Sequence, residues 1–329
     1  MDLRTIGRYL VGRRDAIEAV AVDPRSPLIG LALVFAASFA REYDAEYLLM
    51  EPAHLLFGPT NALIAALVLM VVVHVTLAVR RRGGPGLLGF TLPFLGLFWM
   101  TAPLAFLYAI PVERFLTEIG AVQANLWMLA VVATWRVVLM VRVVSVVTGV
   151  SAGAAVAPVL LMGSSVALVA VNMMGTQILA IMGGVNETAA ERLLRVVAGN
   201  VFGLAFLATP IFFVAACVVG VRVRRAAGRY PLTGGRLFSL DEPHGPWWAA
   251  LGVIVALVPA MFVTQPEQRL RREFEWALGE GDADAAIELL RRHERSDFPP
   301  HFRPRARHDD ELQRRFDDAT RHWSAPGDA

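Results

Sequence analysis

Long apolar stretches alternate with short charged segments along most of the chain. A transmembrane helix needs about 20 apolar residues to cross a hydrocarbon core of roughly 30 Å. Six stretches reach this length, and a seventh is shorter and is followed at once by the charged sequence REYDAE. The pattern therefore predicts an all-α fold, a polytopic membrane helix bundle of about seven spans. The predicted spans are 28–40, 60–79, 86–109, 125–147, 154–174, 200–221 and 246–264.

The first 24 residues have a different pattern, in which apolar and basic residues share one helical repeat. The apolar positions on one face of a helix at 2–21 are Leu3, Ile6, Leu10, Ile17 and Val20. A basic amphipathic helix of this kind is attracted to anionic lipid and lies in the membrane surface. Residues 1–24 are therefore predicted to form an interfacial amphipathic helix on the inner leaflet, before a transmembrane bundle at 25–264.

Residues 265–329 have the composition of a soluble helical tail. Leu270 and Phe274 share one helical face, a break follows at Gly279, and Ile287 and Leu290 line a second helix. The pair resembles a single tetratricopeptide-type helical hairpin, and one such unit cannot bury its own core. We therefore expect the tail to pack on its own membrane domain, on a second copy of the chain or on another protein.

Composition supports the membrane assignment and excludes several functions. Of the 329 residues, 56% are hydrophobic and only 18% are charged, against roughly 25% charged in an average soluble domain. The net charge of +2 provides no concentrated basic face for nucleic acid. The sequence contains no lysine, so all 31 basic residues are arginine. This usage favours a GC-rich bacterial genome and hence a bacterial inner membrane.

The distribution of arginine predicts the orientation. With the N-terminus in the cytoplasm, the segments on the inner side hold 14 arginines and the outer loops hold four, as the positive-inside rule requires. Seven spans then place the tail in the periplasm. Three arginines close behind the last span oppose this assignment, at Arg269, Arg271 and Arg272. If 246–264 instead dips into the membrane and returns, the tail is cytoplasmic.

Two arginines occur inside the apolar segment TWRVVLMVRVV of the fourth predicted span. Arg142 lies near the inner end, where its side chain reaches the headgroups. Arg136 lies near the centre, where a charge is costly. The acids at Glu42, Asp44 and Glu46 lie nearest in depth, and an ion pair with one of them would dock the first span on the fourth. The functional alternative is a gating or substrate-binding charge.

His74 is the one histidine within the predicted spans, and it serves either as a proton relay or as a hydrogen-bonding partner of a neighbouring helix. The cluster of acids Glu42, Asp44, Glu46 and Glu51, together with His54, forms either a cation site or a solvated rim at headgroup level. The candidate intramembrane polar network therefore comprises Arg136, Glu42, Asp44, Glu46 and His74.

The sequence contains none of the common zinc, nucleotide-binding or redox motifs, and its spans contain no aspartate. We therefore predict neither an enzyme nor a cofactor, and no catalytic or metal-binding residue. The first functional hypothesis is a structural or assembly component of the membrane that contacts lipid and, through its tail, another protein or a second copy. The alternative is a transporter or channel subunit with a polar path near Arg136, His74, Glu42 and Asp44.

Overall fold

The computed structural model describes residues 1–45, 47–78, 87–173, 188–225, 245–306 and 309–323. The regular structure of these residues is entirely helical, which confirms the all-α prediction. The α-helices are α1 (Leu3–Leu10), α2 (Arg14–Val22), α3 (Ser26–Glu42), α4 (Phe57–Val73), α5 (Leu87–Trp99), α6 (Glu118–Thr148), α7 (Ala152–Met173), α8 (Ala189–Arg225), α9 (Gly245–Gly279), α10 (Ala283–Arg292) and α11 (Asp310–Ala319). Short 3₁₀ helices lie at Pro52–Leu56, Ala102–Ala109, Val112–Arg114, Arg295–Asp297 and Arg321–Trp323, and a π-helical turn lies at His74–Ala78.

Within the described residues, six helical segments are long and apolar enough to cross a membrane, or seven if α2 and α3 count as one bent span. The six are Pro52–Leu77, Gly89–Arg114, Glu118–Thr148, Ala152–Asn172, Ala189–Val223 and Gly245–Gly279. The first predicted span corresponds to α3, which has only 17 residues and meets α2 at an angle of 106°. The expected bundle of about seven spans is thus confirmed, with its shortest member broken.

The N-terminal segment forms two helices, so the prediction of one helix at 2–21 is wrong. Gly12 separates them with a φ of +75°, a conformation that glycine adopts without steric cost. Tyr9, Ile17 and Val20 are fully buried in the main core, and α2 packs on α5 and α6. An apolar face has the same sequence pattern whether lipid or protein covers it. Here protein covers it.

Two spans are interrupted where they pack against each other. The span that contains α5 continues after Thr101 as the 3₁₀ helix Ala102–Ala109, and α3 starts after its bend beside the same region. The pair approach closely because glycine lies at each contact: a Cβ on Gly96 would lie 2.3 Å from Ser26 Oγ, and one on Gly30 would lie 2.8 Å from Trp99 Cβ. Two helix ends therefore meet inside the bundle.

The last span and the tail share one continuous helix. Helix α9 runs through residue 265, so the domain boundary predicted there falls within a helix. Its C-terminal half packs with α10, the 3₁₀ turns and α11 around a separate core. The buried members of this core are Leu270, Phe274, Ala277, Ala286, Ile287, Leu290, Phe298, Phe316 and Ala319. Residues 298–323 thus supply the apolar surface that the hairpin alone lacks.

The tail also contacts the membrane bundle through hydrogen bonds and ion pairs. Gln265 Nε2 donates to the carbonyl of Tyr43 at 3.1 Å, and His301 Nε2 lies 2.9 Å from the carbonyl of Leu116. Ion pairs connect Arg114 with Glu267 at 2.9 Å, Arg305 with Glu191 at 3.0 Å, and Arg272 with Glu51. One partner of the tail is therefore its own membrane bundle.

The N-terminus lies near the other end of α9. Leu3 Cγ lies 3.8 Å from a Cβ built on Gly245, the first residue of that helix. The tail begins near residue 265, about 30 Å further along at 1.5 Å per residue. The N-terminus and the tail therefore lie at opposite ends of the last span.

Candidate functional site

Arg136 lies in the middle of α6 and points to the end of α5. Its Nε donates to Thr101 Oγ1 at 2.8 Å, and its guanidinium carbon lies 4.8 Å from the ring centroid of Phe98. Thr101 is buried and donates in turn to the carbonyl of Phe98 at 2.7 Å. The buried hydroxyl of Tyr9 donates to the carbonyl of Leu97. Side chains from three parts of the chain thus meet at one helix terminus.

Within the described residues Arg136 has no acidic partner, and its guanidinium lies instead beside the terminus of α5. The last carbonyls of an α-helix lack partners within the helix and carry a partial negative charge of about half an electron. Because α5 ends at Trp99, inside the span Gly89–Arg114, this negative end lies within the bundle. The face of Phe98 adds a cation–π attraction, which contributes ~0.5–2 kcal/mol.

The expected ion pair between Arg136 and an acid after the first span is not formed with Glu42 or Asp44. Within the described residues, the polar contact of the guanidinium is Thr101, and its ring contact is Phe98. Glu46, the third candidate acid, lies outside the described residues. The expected ion pair rested only on the similar depth of Arg136 and the acids in the membrane. In the structure, the partial negative charge beside Arg136 comes from the end of α5, where the neighbouring span is broken.

Arg136 retains hydrogen-bonding capacity. A guanidinium carries five N–H groups, and one of them is used on Thr101 among the described contacts. The fully buried polar atoms without a partner include Ser26 Oγ and Trp99 Nε1 but not the terminal nitrogens of Arg136. Within the described residues, the other N–H groups of Arg136 have no protein acceptor and remain available to a ligand.

A cavity of about 450 Å³ lies between the bundle and the tail. Its charged lining comes from α3, from the loop before α6 and from α9, and comprises Arg41, Asp44, Glu113, Arg114 and Arg271. Apolar residues Ile110 and Leu129 line the membrane side. Arg41 also lies over the ring of Tyr108, 5.5 Å from its centroid, and Tyr108 interacts electrostatically with Arg136. Polar groups thus extend from the cavity towards Arg136.

Asp44 is the perturbed acid of this cavity. Burial raises the pKa of its carboxyl to about 6, and the negative charge of Glu113 acts in the same direction. Glu113 accepts a hydrogen bond from Asn125 Nδ2 at 2.5 Å. The backbone carbonyl of Asp44 accepts from Gln268, so α9 holds the turn in place. Asp44 therefore changes charge close to neutral pH.

His74 lies apart from Arg136 and Asp44. It is buried in the π-helical turn after α4, with its ring 5.8 Å from that of Phe90. Its Nδ1 has no hydrogen-bond partner among the described residues. Among the described members of the predicted network, Arg136, Asp44 and His74 thus lie at three separate places, with Asp44 at the cavity between bundle and tail.

Arg142 has a structural role that its sequence position did not indicate. Its Nε lies 3.4 Å from the carbonyl of Gly12, and Trp135 Nε1 donates to the carbonyl of Leu10 at 2.9 Å. Both contacts hold the turn between α1 and α2 against α6. Arg142 remains exposed apart from this contact, and its reach to the headgroups stays a prediction.

The carboxylate of Glu51 forms ion pairs with basic side chains. Glu51 pairs with Arg272 and with His54 at 2.7 Å, and both partners lower the pKa of its carboxyl. Within the described part of the chain, no group of three or more His, Cys, Asp or Glu side chains is placed to hold a metal ion.

The sequence interpretation missed four residues of these sites, which are Thr101, Phe98, Tyr108 and Glu113. Three of them lie in the run 86–109, which has the pattern of an uninterrupted apolar span. Pro103 was the available signal, because proline disfavours a helical conformation at the residue before it. That residue, Ala102, is where the 3₁₀ segment begins.

The fold and these sites define a polytopic helical membrane protein with a C-terminal tail folded on one end of its bundle. No protein-family model, curated protein or solved structure matches the chain.

Proposed function

We propose that this protein binds an anionic ligand inside its helix bundle at Arg136, as a transporter or channel subunit of a bacterial inner membrane. The observation that supports the proposal is a central intramembrane arginine with unused N–H donors at the junction of two broken spans. Transporters commonly form their substrate sites from discontinuous helices near the bilayer midplane. Ionisable residues at this depth usually mark a substrate or ion path.

The electrostatics of the site favour an anion. The end of α5 and the ring of Phe98 offset part of the cost of burying the guanidinium, but they carry no full negative charge. An anion that accepts hydrogen bonds from the terminal nitrogens of Arg136 would neutralise the remaining charge. Arg41 and Tyr108 line the cavity between bundle and tail, and Tyr108 interacts electrostatically with Arg136. These polar side chains offer a route from that cavity to the site.

The proposal predicts a saturable effect of small anions on the purified protein. In detergent, the thermal midpoint is measured against chloride, acetate and inorganic phosphate, with gluconate keeping the ionic strength constant. At least one anion should stabilise the wild type, because a ligand that binds only the folded state raises its stability. Arg136→Gln should weaken the apparent affinity for that anion at least ~10-fold, since charge-assisted hydrogen bonds are lost.

Two further variants make this experiment decisive. Arg142→Gln removes an arginine from the same helix whose contact is with Gly12, and it should respond to anions as the wild type does. Arg136→Lys keeps the charge without the planar fork and should retain part of the response. Identical anion curves for the wild type and Arg136→Gln would refute the site.

The second candidate function is an assembly component that contacts another protein through the tail. The observation in its favour is Trp276, which is 68% exposed on α9 and belongs to the residue types that dominate protein interfaces. Co-purification in mild detergent tests it. A stoichiometric partner that is lost in Trp276→Ala, with the tail still folded, would favour assembly. A homogeneous particle without a partner would count against it.

The proposed orientation places the N-terminus in the cytoplasm and the tail in the periplasm. Arginine is concentrated in the segments that lie on the same side of the membrane as the N-terminus. Reporter fusions after residues 82 and 235 should give cytoplasmic signals. Fusions after 120, 190 and 275 should give periplasmic signals. A cytoplasmic signal after 275 would contradict a periplasmic tail.

A further inference from the structure

The cavity between bundle and tail contains opposite charges that do not neutralise each other. Arg41 lies in the last turn of α3 and Asp44 lies three residues later, yet within the described residues the two form no ion pair. The polar partner of Arg41 is the ring of Tyr108. Arg114 and Arg271, by contrast, are paired with Glu267 and Glu275. Among the described residues that line the cavity, Arg41 and Asp44 therefore have no partner of opposite charge.

The acid side of the cavity has a second carboxylate. Glu113 lies close enough to Asp44 for their charges to repel, and its hydrogen bond comes from the neutral amide of Asn125. A pair of carboxylates in a partly buried site is stabilised by a cation placed between them. An ammonium group is suited to this position, because it donates three hydrogen bonds and carries one charge.

Two apolar residues from candidate membrane spans also line the cavity. Ile110 and Leu129 line it and are 48% and 54% exposed. Leu129 lies on α6, one of the helices long and apolar enough to cross a membrane. The volume of about 450 Å³ is within the range of ligand pockets. A molecule with a small charged head and an apolar chain can therefore enter from the bilayer.

We infer that this cavity binds a zwitterion that carries a phosphate or carboxylate group and a primary ammonium group. The anionic group lies at Arg41, and the ammonium lies between Asp44 and Glu113. Two sources share this chemistry: the headgroup of an aminophospholipid such as phosphatidylethanolamine, and a free soluble zwitterion. The inference is independent of the anion site at Arg136.

Native mass spectrometry of the full-length protein provides the test. The protein is released from vesicles that contain equal amounts of phosphatidylethanolamine, phosphatidylcholine and phosphatidylglycerol. The wild type should retain phosphatidylethanolamine at least ~10-fold over phosphatidylcholine, because a quaternary ammonium cannot donate hydrogen bonds to Asp44. Arg41→Gln and Asp44→Asn should each abolish the preference.

The matched control is Arg269→Gln. Arg269 is an exposed arginine of α9 that pairs with Glu273 and does not line this cavity. It should keep the preference of the wild type. Retention of all three lipids in equal amounts, or a preference that survives in both cavity variants, would overturn the lipid arm.

A second arm separates the two sources of the ligand. O-phosphoethanolamine is added to delipidated protein, and the thermal midpoint is measured against choline phosphate as the methylated control. Stabilisation by phosphoethanolamine alone, absent in Asp44→Asn, supports the zwitterion site and assigns it to a soluble ligand if no lipid preference is found. Failure of both arms overturns the inference, whatever the result at Arg136.

Discussion

Replacement of Phe316 by alanine should unfold the C-terminal tail while the membrane bundle stays intact. Phe316 is fully buried in the tail core, and its ring lies 5.5 Å from that of Phe274. Truncation of a buried phenylalanine costs about 3–5 kcal/mol, through lost burial and the cavity left behind. A core of nine buried residues has little stability in reserve.

Limited proteolysis and hydrogen exchange of the full-length protein measure this effect. Protection of the amides of α10 should be lost, and the fluorescence of Trp323, which packs 5.1 Å from Phe298, should shift to that of an exposed indole. Trp276→Ala on α9 is the control, since its side chain is largely exposed, and it should change stability by less than ~0.5 kcal/mol. Retained protection of α10 in Phe316→Ala would show that contacts with the bundle, rather than the tail core, hold the tail.

Asp44→Asn should stabilise the protein at pH 7.5 and have little effect near pH 4. The pKa of Asp44 is raised to about 6 from an ordinary value of 3.8 by burial and by Glu113. The folded protein therefore binds a proton that the unfolded chain has already released between about pH 4 and 6. In that window the contribution of Asp44 to stability falls as pH rises, and above it the ionised carboxylate remains a cost. Asparagine removes this cost.

The expected gain at pH 7.5 is at most ~3 kcal/mol, since one pKa unit corresponds to about 1.4 kcal/mol, and partial exposure of Asp44 reduces it. Thermal midpoints of the wild type and Asp44→Asn in lipid-free detergent, measured from pH 4 to 8, give the difference directly. The charged groups that act on Asp44 most strongly are Glu113, Arg114 and Glu42, and Arg41 and Arg271 line the same cavity. Asp284→Asn, on the exposed surface of the tail, is the matched control. A difference between the wild type and Asp44→Asn that is constant across this range would contradict the shifted pKa.

The candidate site could be predicted only in part from the sequence. Arg136 stands out because a charge at the centre of an apolar span is costly. The surroundings of Arg136 could not be predicted from the sequence, because they depend on where α5 ends. The run 86–109 has the composition of one continuous helix, yet the helix ends at Trp99 and places its negative terminus against the arginine. Glu42 and Asp44 had suitable depth, but depth along an axis does not specify which face of a helix a side chain occupies.

The sequence by itself determined the fold class, the approximate positions of the spans and the distinct character of the tail. These properties follow from hydropathy and helical period, which act locally along the chain. Only the tertiary structure decided that protein covers the apolar face of α1 and α2, that the tail has its own core and closes on the loops of the bundle, and that Arg41 and Asp44 share a cavity. An apolar face is equally satisfied by lipid, by a neighbouring helix or by another protein. The choice among them depends on contacts between residues far apart in the sequence, such as Tyr9 with Leu97 and Gln265 with Tyr43.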